Sequence, residues 1–381
     1  MNKKLMAVAV AGALAVPAVA FAQASSVQIY GRANLGIDTM SATGATAANA
    51  DFKSRTRIFD SGSRIGFRGT ENLGGGLQAL FVIESGVSLD SGSALGQAAT
   101  ANASGGTLAS RDSWLGLAGS WGRVSFGRQS IFWVNGPHGQ TGANHINTDI
   151  GWYNGAAFTG VARQSNVLAY NSPTWSGWNF TASYAANSES AAVNTNTDAN
   201  IRGLTVRYTG RPIDAQYDFV VNQVASGGAN RLARSAHKFN VGWPYAPGSR
   251  ISMVFATTTQ DDVAALAGRW NLHDDIKQNY WGLNWEHTLG GNWVVYGMYS
   301  KVNNGSGCGV AGGCDNMGAT GVLAALRYNF SKRTWIYGSY NATSNQARAG
   351  FDYTGGNYTS FAPVSAGADP RVAAIGIHHD F

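Results

Sequence analysis

The most persistent signal along this chain is an alternation of apolar and polar side chains with a period of two residues. Val27, Ile29, Ala33, Leu35 and Ile37 interleave with Gln28, Tyr30, Arg32, Asn34 and Asp38. Ile65 and Phe67 interleave with Arg64 and Arg68, and Trp178, Phe180, Ala182 and Tyr184 with Asn179, Thr181 and Ser183. The pattern returns at Leu204–Tyr208, Ile213–Phe219, Phe239–Trp243, Trp281–Glu286 and Leu326–Phe330. Each run predicts a strand with one apolar and one polar face.

Connections between the runs are of two kinds, taken in turn. Short ones contain Gly or Pro: Asn72–Gly75, Gly119–Gly122, Pro173–Gly177, Gly210–Pro212, Pro244–Gly248 and Gly290–Gly291. Between them lie long polar stretches near 40–62, 88–110, 129–164, 186–200, 223–233, 259–278, 303–319 and 344–369. Eight long connections on one side imply sixteen strands, with tight turns on the other rim. That is the layout of an all-β, 16-stranded antiparallel transmembrane β-barrel with short periplasmic turns and long outer loops. Eight long structureless loops do not fit a compact soluble domain. In the last run Phe381, His379, Ile377, Ile375 and Ala373 share one face, and Asp380, His378 and Gly376 the other. A greasy outer face ending in an aromatic suits a final strand that closes against the first, at 27–38, with Phe381 at the periplasmic rim.

Composition agrees. Charged residues are only 13% of the chain, which carries 50 Gly, 12 Trp and 15 Tyr. Few charges, many glycines and many amphipathic aromatics are what a barrel with two interfacial girdles needs. Residues 1–22 stand apart: Lys3 and Lys4 precede an apolar run from Leu5 to Val19, and Ala20–Phe21–Ala22 makes a small-x-small cleavage site. They are read as a secretory signal peptide, with the barrel occupying 23–381. Losing Lys3 and Lys4 lowers the formal charge from +6 to +4, too little to indicate a nucleic-acid partner.

In the barrel reading the apolar face meets lipid and the polar face lines a lumen. Arg or Lys at a lipid-facing midplane position costs roughly 2–4 kcal/mol. Arg32, Arg64, Arg68, Arg207, Lys238 and Arg327 all fall on the polar face. Arg128 and Arg371 do not, and both sit where a strand should meet an outer loop. Sixteen strands leave an aqueous channel, and the inward set is polar rather than bulky. The stretch 129–164, with His138, His145, Asp149 and Trp152, is too long and too aromatic for an idle connection. It is expected to fold inward and narrow the pore. Beside it come Arg64, Arg68, Arg111, Arg128 and Arg163, with Glu84 and Asp112 as the nearest acids. Rings of Arg at a constriction favour anions, so Arg64, Arg68, Arg111, Arg128, Arg163, Glu84 and Asp149 are the candidate constriction and selectivity residues. The same arginines could instead pair with lumen acids or hold the loop. Cys308 and Cys314, six apart, are a candidate disulfide stapling one loop; two thiols are half of a tetrahedral zinc site, and no metal or other cofactor is expected.

Residues 163–173, Arg–Gln–Ser–Asn–Val–Leu–Ala–Tyr–Asn–Ser–Pro, resemble the strand after the constriction loop in trimeric Gram-negative general porins of the betaproteobacterial type. So do stretches 26–31, 63–79, 121–129 and 328–337, and the matches run along the whole chain beyond the leader. Leu168 stands where the family commonly has Val, and the Cys308–Cys314 loop is outside the family pattern. The resemblance implies a homotrimer in the outer membrane, among its lipid and lipopolysaccharide, with an inward third loop. It implies passive diffusion of small anions and hydrophilic solutes. It matches Arg64, Arg111, Arg128 and Arg163 to the family's basic positions, and it makes the Phe381 terminus resemble a signal read by the barrel-assembly machinery.

Other functions find less support. A hydrolase needs a nucleophile with a partnered base; there is no Gly-x-Ser-x-Gly and no His-Glu-x-x-His, and His378 and His379 point to opposite faces. No catalytic residue is assigned. A substrate-specific channel or a surface adhesin barrel is the alternative, and Asp261–Asp262 with Asp274–Asp275 form either a solvated acidic rim or a divalent-cation site. Small outward Gly31 and Ala33 would let neighbouring barrels approach. The leader reading is checked by amino-terminal sequencing of the exported protein: the expected first residue is Gln23, and retention of Lys3 and Lys4 would refute it.

Overall fold

A strand whose two faces differ in polarity needs lateral partners for every backbone group, and in lipid no water can supply them. The computed structural model meets this by closing the sheet on itself. It describes residues 26–90, 108–131, 147–148, 163–186, 200–225, 231–260, 276–308, 312–354 and 364–381. The first strands are β1 (Ser26–Thr43), β2 (Phe52–Asp60), β3 (Arg64–Gly74), β4 (Leu77–Gly86), β5 (Ser113–Gly119) and β6 (Gly122–Gln129). A two-residue β7 (Asn147–Thr148) precedes β8 (Gln164–Asn171), β9 (Trp178–Ala186), β10 (Asn200–Thr209), β11 (Asp214–Ala225) and β12 (Arg231–Ala246). Then follow β13 (Ser249–Gln260), β14 (Ile276–Thr288), β15 (Trp293–Val302), β16 (Ala319–Asn329), β17 (Thr334–Asn345), the two-residue β18 (Tyr353–Thr354) and β19 (Asp369–Asp380).

Strands adjacent in the chain pair antiparallel, and β7 and β18 stand off the wall as a ladder of their own. Both β2 and β3 pair with β1, so they are one strand interrupted at 61–63. The wall therefore has sixteen strands, as the alternation of turns and loops predicts. Closure runs from Arg32↔Asp380 to Thr43↔Asp369 between β1 and β19. Two further backbone bonds, each 3.1 Å, tie Gly31 and Phe381 reciprocally. The interruption at 61–63 is stitched from the first strand: the Asn34 amide donates to Ser63 Oγ at 2.9 Å and Asn34 Nδ2 to the Ser61 carbonyl at 3.0 Å. Gly62, at φ +79°, supplies the left-handed conformation such a bulge requires.

The outer face is the apolar one. Val27, Ile29, Ile37, Leu115, Phe126, Phe255, Ile375 and Ile377 are all exposed. Outward Trp178, Trp243, Trp285, Trp293 and Phe330 gather towards the turn end, and Tyr184, Trp281, Tyr299 and Tyr340 form a second girdle nearer the loops. Cations also occur at outward positions beyond Arg128 and Arg371, namely Arg202, Lys277 and Lys301. All lie within three residues of a strand's loop end, where the lipid-facing cost of a charge falls to about 0–1 kcal/mol.

Several expectations shift. The first long stretch shrinks from 40–62 to 44–51, because β1 and β2 run on past the lipid, where the outer face turns polar at Thr39, Ser41, Ser54 and Thr56 and the apolar-out alternation fades. A seventh short turn, at 330–333, has no Gly or Pro; Ser331 Oγ accepts the Arg333 and Thr334 amides at 3.1 and 3.0 Å and holds it instead. The interior is less uniformly polar than the alternation suggests, since Met40, Phe59, Trp335, Tyr337, Val372 and Ala374 pack as a cluster on the inner wall. Gly31 is not an open patch for a neighbouring barrel. A Cβ there would lie 2.5 Å from both the Arg64 carbonyl and the Phe381 ring, so the ring already covers it. The leader, 1–22, and the proposed first residue Gln23 lie outside the described residues.

Gly31→Leu should therefore cut the folded fraction, read as the heat-modifiable band on unheated gels, several-fold, whereas Ala33→Leu should leave it intact. Equal yields from both would show that the Phe381 ring does not need its seat on Gly31.

Candidate pore constriction

Alternation places Tyr30, Arg32, Arg64, Arg68 and Glu84 on the inner wall, but only lateral register brings them together. Arg32 pairs with Arg64 across β1 and β3, and Gly66 with Glu84 across β3 and β4. Glu84, nearly buried, becomes the hub. Its Oε1 meets Arg111 Nε at 2.5 Å, its Oε2 meets Arg64 Nε at 3.5 Å, and the Tyr30 hydroxyl donates to Oε2 at 3.1 Å. The backbone repeats the link, with the Arg111 amide on the Glu84 carbonyl at 2.9 Å. One residue on, Asp112 takes both ends of Arg163, at 3.0 and 3.5 Å, and accepts the Ser130 amide at 2.9 Å.

Four guanidiniums, Arg32, Arg64, Arg111 and Arg163, thus face three carboxylates, because Asp380 lies across the seam from Arg32 beside Glu84 and Asp112. Burial, then the positive charge of Arg163, pushes the Arg111 guanidinium below its ordinary value, and Glu84 opposes that shift. Burial alone would raise Asp112, yet Arg163, the Ser130 hydrogen bond and Arg111 hold it below the usual carboxylate range. Guanidiniums outnumber carboxylates in this group, so positive charge remains uncompensated.

The candidates separate on this geometry. Arg64, Arg111, Arg163 and Glu84 come together. Arg68 joins at one remove: it lies four residues further along β3, about 13 Å at strand rise. There it donates to Gln28 Oε1 at 2.8 Å and sits 5.0 Å over the Tyr30 ring. Arg128 falls between inward Ser125 and Gln129 at an irregularity in β6. Its guanidinium goes to the Ser110 carbonyl and Ser165 Oγ, both at 3.0 Å, and not to Glu84. Asp149, His138, His145, Trp152, Asp261, Asp262, Asp274 and Asp275 lie outside the described residues. Cys308 and Cys314 are joined as a disulfide, with Cα atoms 5.7 Å apart, packed beside Ile276. Arg32, Tyr30 and Asp112 belong to the group although they were not among the candidates; parity already put Arg32 and Tyr30 inward, but nothing local tied them to Glu84.

The described parts of the third loop reach into the barrel. Ile131 packs on inward Val167, Ala169, Ala185, Ile201, Val220 and Ala236. Asn147–Thr148 instead lies against β16 and β17, across the barrel from β6. The last loop also turns inward, with Ala349 and Phe351 against Tyr280, Val302 and Ala319.

A closed sixteen-stranded wall, apolar towards lipid and charged within, defines a pore-forming barrel of the outer membrane. The chain belongs to the Gram-negative porin family, whose model matches residues 7–348. It is 30% identical to an outer membrane porin protein of Bordetella pertussis, over 89% of this chain and 94% of that one. It is 29% identical to outer membrane porin protein 32 of Delftia acidovorans over the full length of both. Among solved structures, the anion-selective porin from Comamonas acidovorans superposes with a TM-score of 0.68 at 25% identity, covering 94% of this chain and all of that one. The trimer form of OmpT from Vibrio cholerae shares the fold, with a TM-score of 0.63 at 14% identity over 94% of this chain and all of that one. The protein is an outer-membrane porin, a passive channel and not a member of an enzyme family.

Glu84→Gln should lower stability by about 2 kcal/mol, because it strands two partly buried guanidiniums. Denaturant titration in detergent micelles is the measurement, and an unchanged midpoint would show that Arg64 and Arg111 do not depend on the carboxylate.

Proposed function

We propose that this porin passes small hydrophilic solutes by diffusion with a weak preference for anions. The observation that carries the reading is the inner-wall group of Arg32, Arg64, Arg111 and Arg163, which outnumbers Glu84, Asp112 and Asp380 around it. A permeating anion finds net positive charge there, and a cation meets a barrier. The anion-selective porin of Comamonas acidovorans, 25% identical, supports the same direction. In this reading Asp149 of the third loop is an acidic counterpart to the arginine wall, Arg68 guides solute through Tyr30, and Arg128 braces the loop end of β6. The channel works without catalysis or cofactor, driven by the solute gradient.

The assembly we infer is a homotrimer embedded in outer-membrane lipid and lipopolysaccharide; the trimer form of a structural neighbour supports it. Phe381, whose backbone and ring complete the seam at Gly31, is the terminus we assign to recognition by the barrel-assembly machinery. Residues 1–22 are its export leader.

In planar bilayers the purified protein should open in ohmic steps grouped in threes, with a reversal potential on the anion side under a salt gradient. Arg64→Ala and Arg163→Ala should each lower the anion-to-cation permeability ratio by about twofold or more. A ratio that neither substitution moves would make these arginines braces for the loop rather than selectivity residues.

A further inference from the structure

A second concentration of positive charge lies on the inner wall, nearer the periplasmic turns. Beneath Ser130 and Ile131 a cavity of about 310 Å³ opens across β5, β6 and β8 to β11, with Arg123 and Arg207 in its lining. A space of that size has room for a small oxyanion together with several waters.

Register explains how two residues 84 apart in sequence share it. Arg123 pairs with Asn171, Asn171 with Thr181, and Thr181 with Thr205, making one inward row. Asn179 pairs with Arg207 in the next row towards the turns. Arg123 opens β6 just after the Gly119–Gly122 turn, and Arg207 lies two residues before the end of β10.

The cavity's acids are already committed. Asp112 is held by Arg163. Asp218 meets Lys238 Nζ at 3.3 Å and accepts Thr205 Oγ1 at 2.7 Å and Gln216 Nε2 at 2.9 Å. Arg123 spends Nε and Nη2 on a neutral group, Asn171 Oδ1, at 3.3 and 2.8 Å, with its guanidinium 4.4 Å from the Trp114 ring centre. Arg207 Nε is buried and has no hydrogen-bond partner among the described residues. Elsewhere in the same half of the barrel, Arg250 is matched by Asp214 at 2.9 Å. A buried donor without an acceptor is costly, and a guanidinium fork is shaped for the paired oxygens of a carboxylate or phosphate.

We propose that Arg123 and Arg207, with Asn179 and Thr181 beside them, form a second anion subsite between the constriction and the periplasm, selective for small oxyanions over halide. The proposal rests on the reading of this protein as an open channel. An oxyanion leaving the Glu84 group would be received there before release, and two weak sites in series let an anion enter each without being trapped.

The test uses the intact channel in planar bilayers in potassium chloride, titrated with inorganic phosphate. The expected result is a saturable fall in chloride conductance. Arg207→Gln and Arg123→Gln should each raise the half-inhibiting phosphate concentration about tenfold, and Arg207→Lys should restore part of the difference. If one Gln variant yields no folded channel, the other, on a different strand, decides by the same titration. A conductance that falls linearly with phosphate, or half-inhibiting concentrations unchanged in the Gln variants, would overturn the proposal. So would a block abolished by Arg64→Ala and untouched by Arg207→Gln, which would place the anion at the constriction. A protein that conducts nothing would instead overturn the channel reading itself.

Discussion

Everything in this molecule depends on the requirement that backbone amides and carbonyls inside lipid find partners within the protein. A sheet with free edges cannot meet it, so β1 and β19, at opposite ends of the described chain, must pair along twelve residues. The seam leaves little room for side chains at its lower end. Gly31 has no Cβ because the Arg64 carbonyl and the Phe381 ring occupy that space. The same closure carries Asn34 to the interruption at 61–63, where its backbone and side chain bind Ser61 and Ser63 while its Oδ1 accepts the Tyr337 hydroxyl at 2.8 Å. One inward asparagine thus joins the first strand, the kinked second and the penultimate one.

Once the wall is closed, its charges have two environments. Outside, a cation is tolerated only near the loop ends, where Arg128, Arg202, Lys277, Lys301 and Arg371 are found. Inside, charges can be dense, but like charges must be held apart or offset. Glu84 and Asp112 do this for Arg64, Arg111 and Arg163. The balance has functional consequences in both directions. More carboxylates would brace the arginines better and cancel their attraction for anions; fewer would leave buried guanidiniums repelling one another. The same logic distinguishes Lys238, matched to Asp218 in a fully buried pair, from Arg207, which no carboxylate matches among the described residues.

The inner wall is also a platform for loops. Apolar inward residues such as Val167, Val220, Tyr280 and Val302 would serve no purpose against water, and Ile131, Ala349 and Phe351 pack on them. Loop segments are thereby anchored by hydrophobic contact as well as by ion pairs, so the lumen's cross-section is set by packing and its selectivity by charge.

Alternation alone determined the strands, their outward faces, the inward placement of Arg32, Arg64, Arg68, Arg207 and Lys238, and the count of sixteen. It could do so because a strand's two faces are a property of consecutive residues, and lipid enforces the contrast between them. It failed where that contrast lapses: above the membrane, where β1 and β2 extend beyond the apolar pattern, and at Ser331, where a hydroxyl replaces the usual turn glycine. Tertiary structure decided which inward residues meet. Arg64, Glu84 and Arg111 lie twenty or more residues apart, and their common level follows from ladder register between strands, which no local period encodes. It also separated Arg68 and Arg128 from that group and turned Gly31 from a free surface into the seat of Phe381. Side-chain direction is local, whereas neighbourhood is lateral, and only closing the barrel fixes the second.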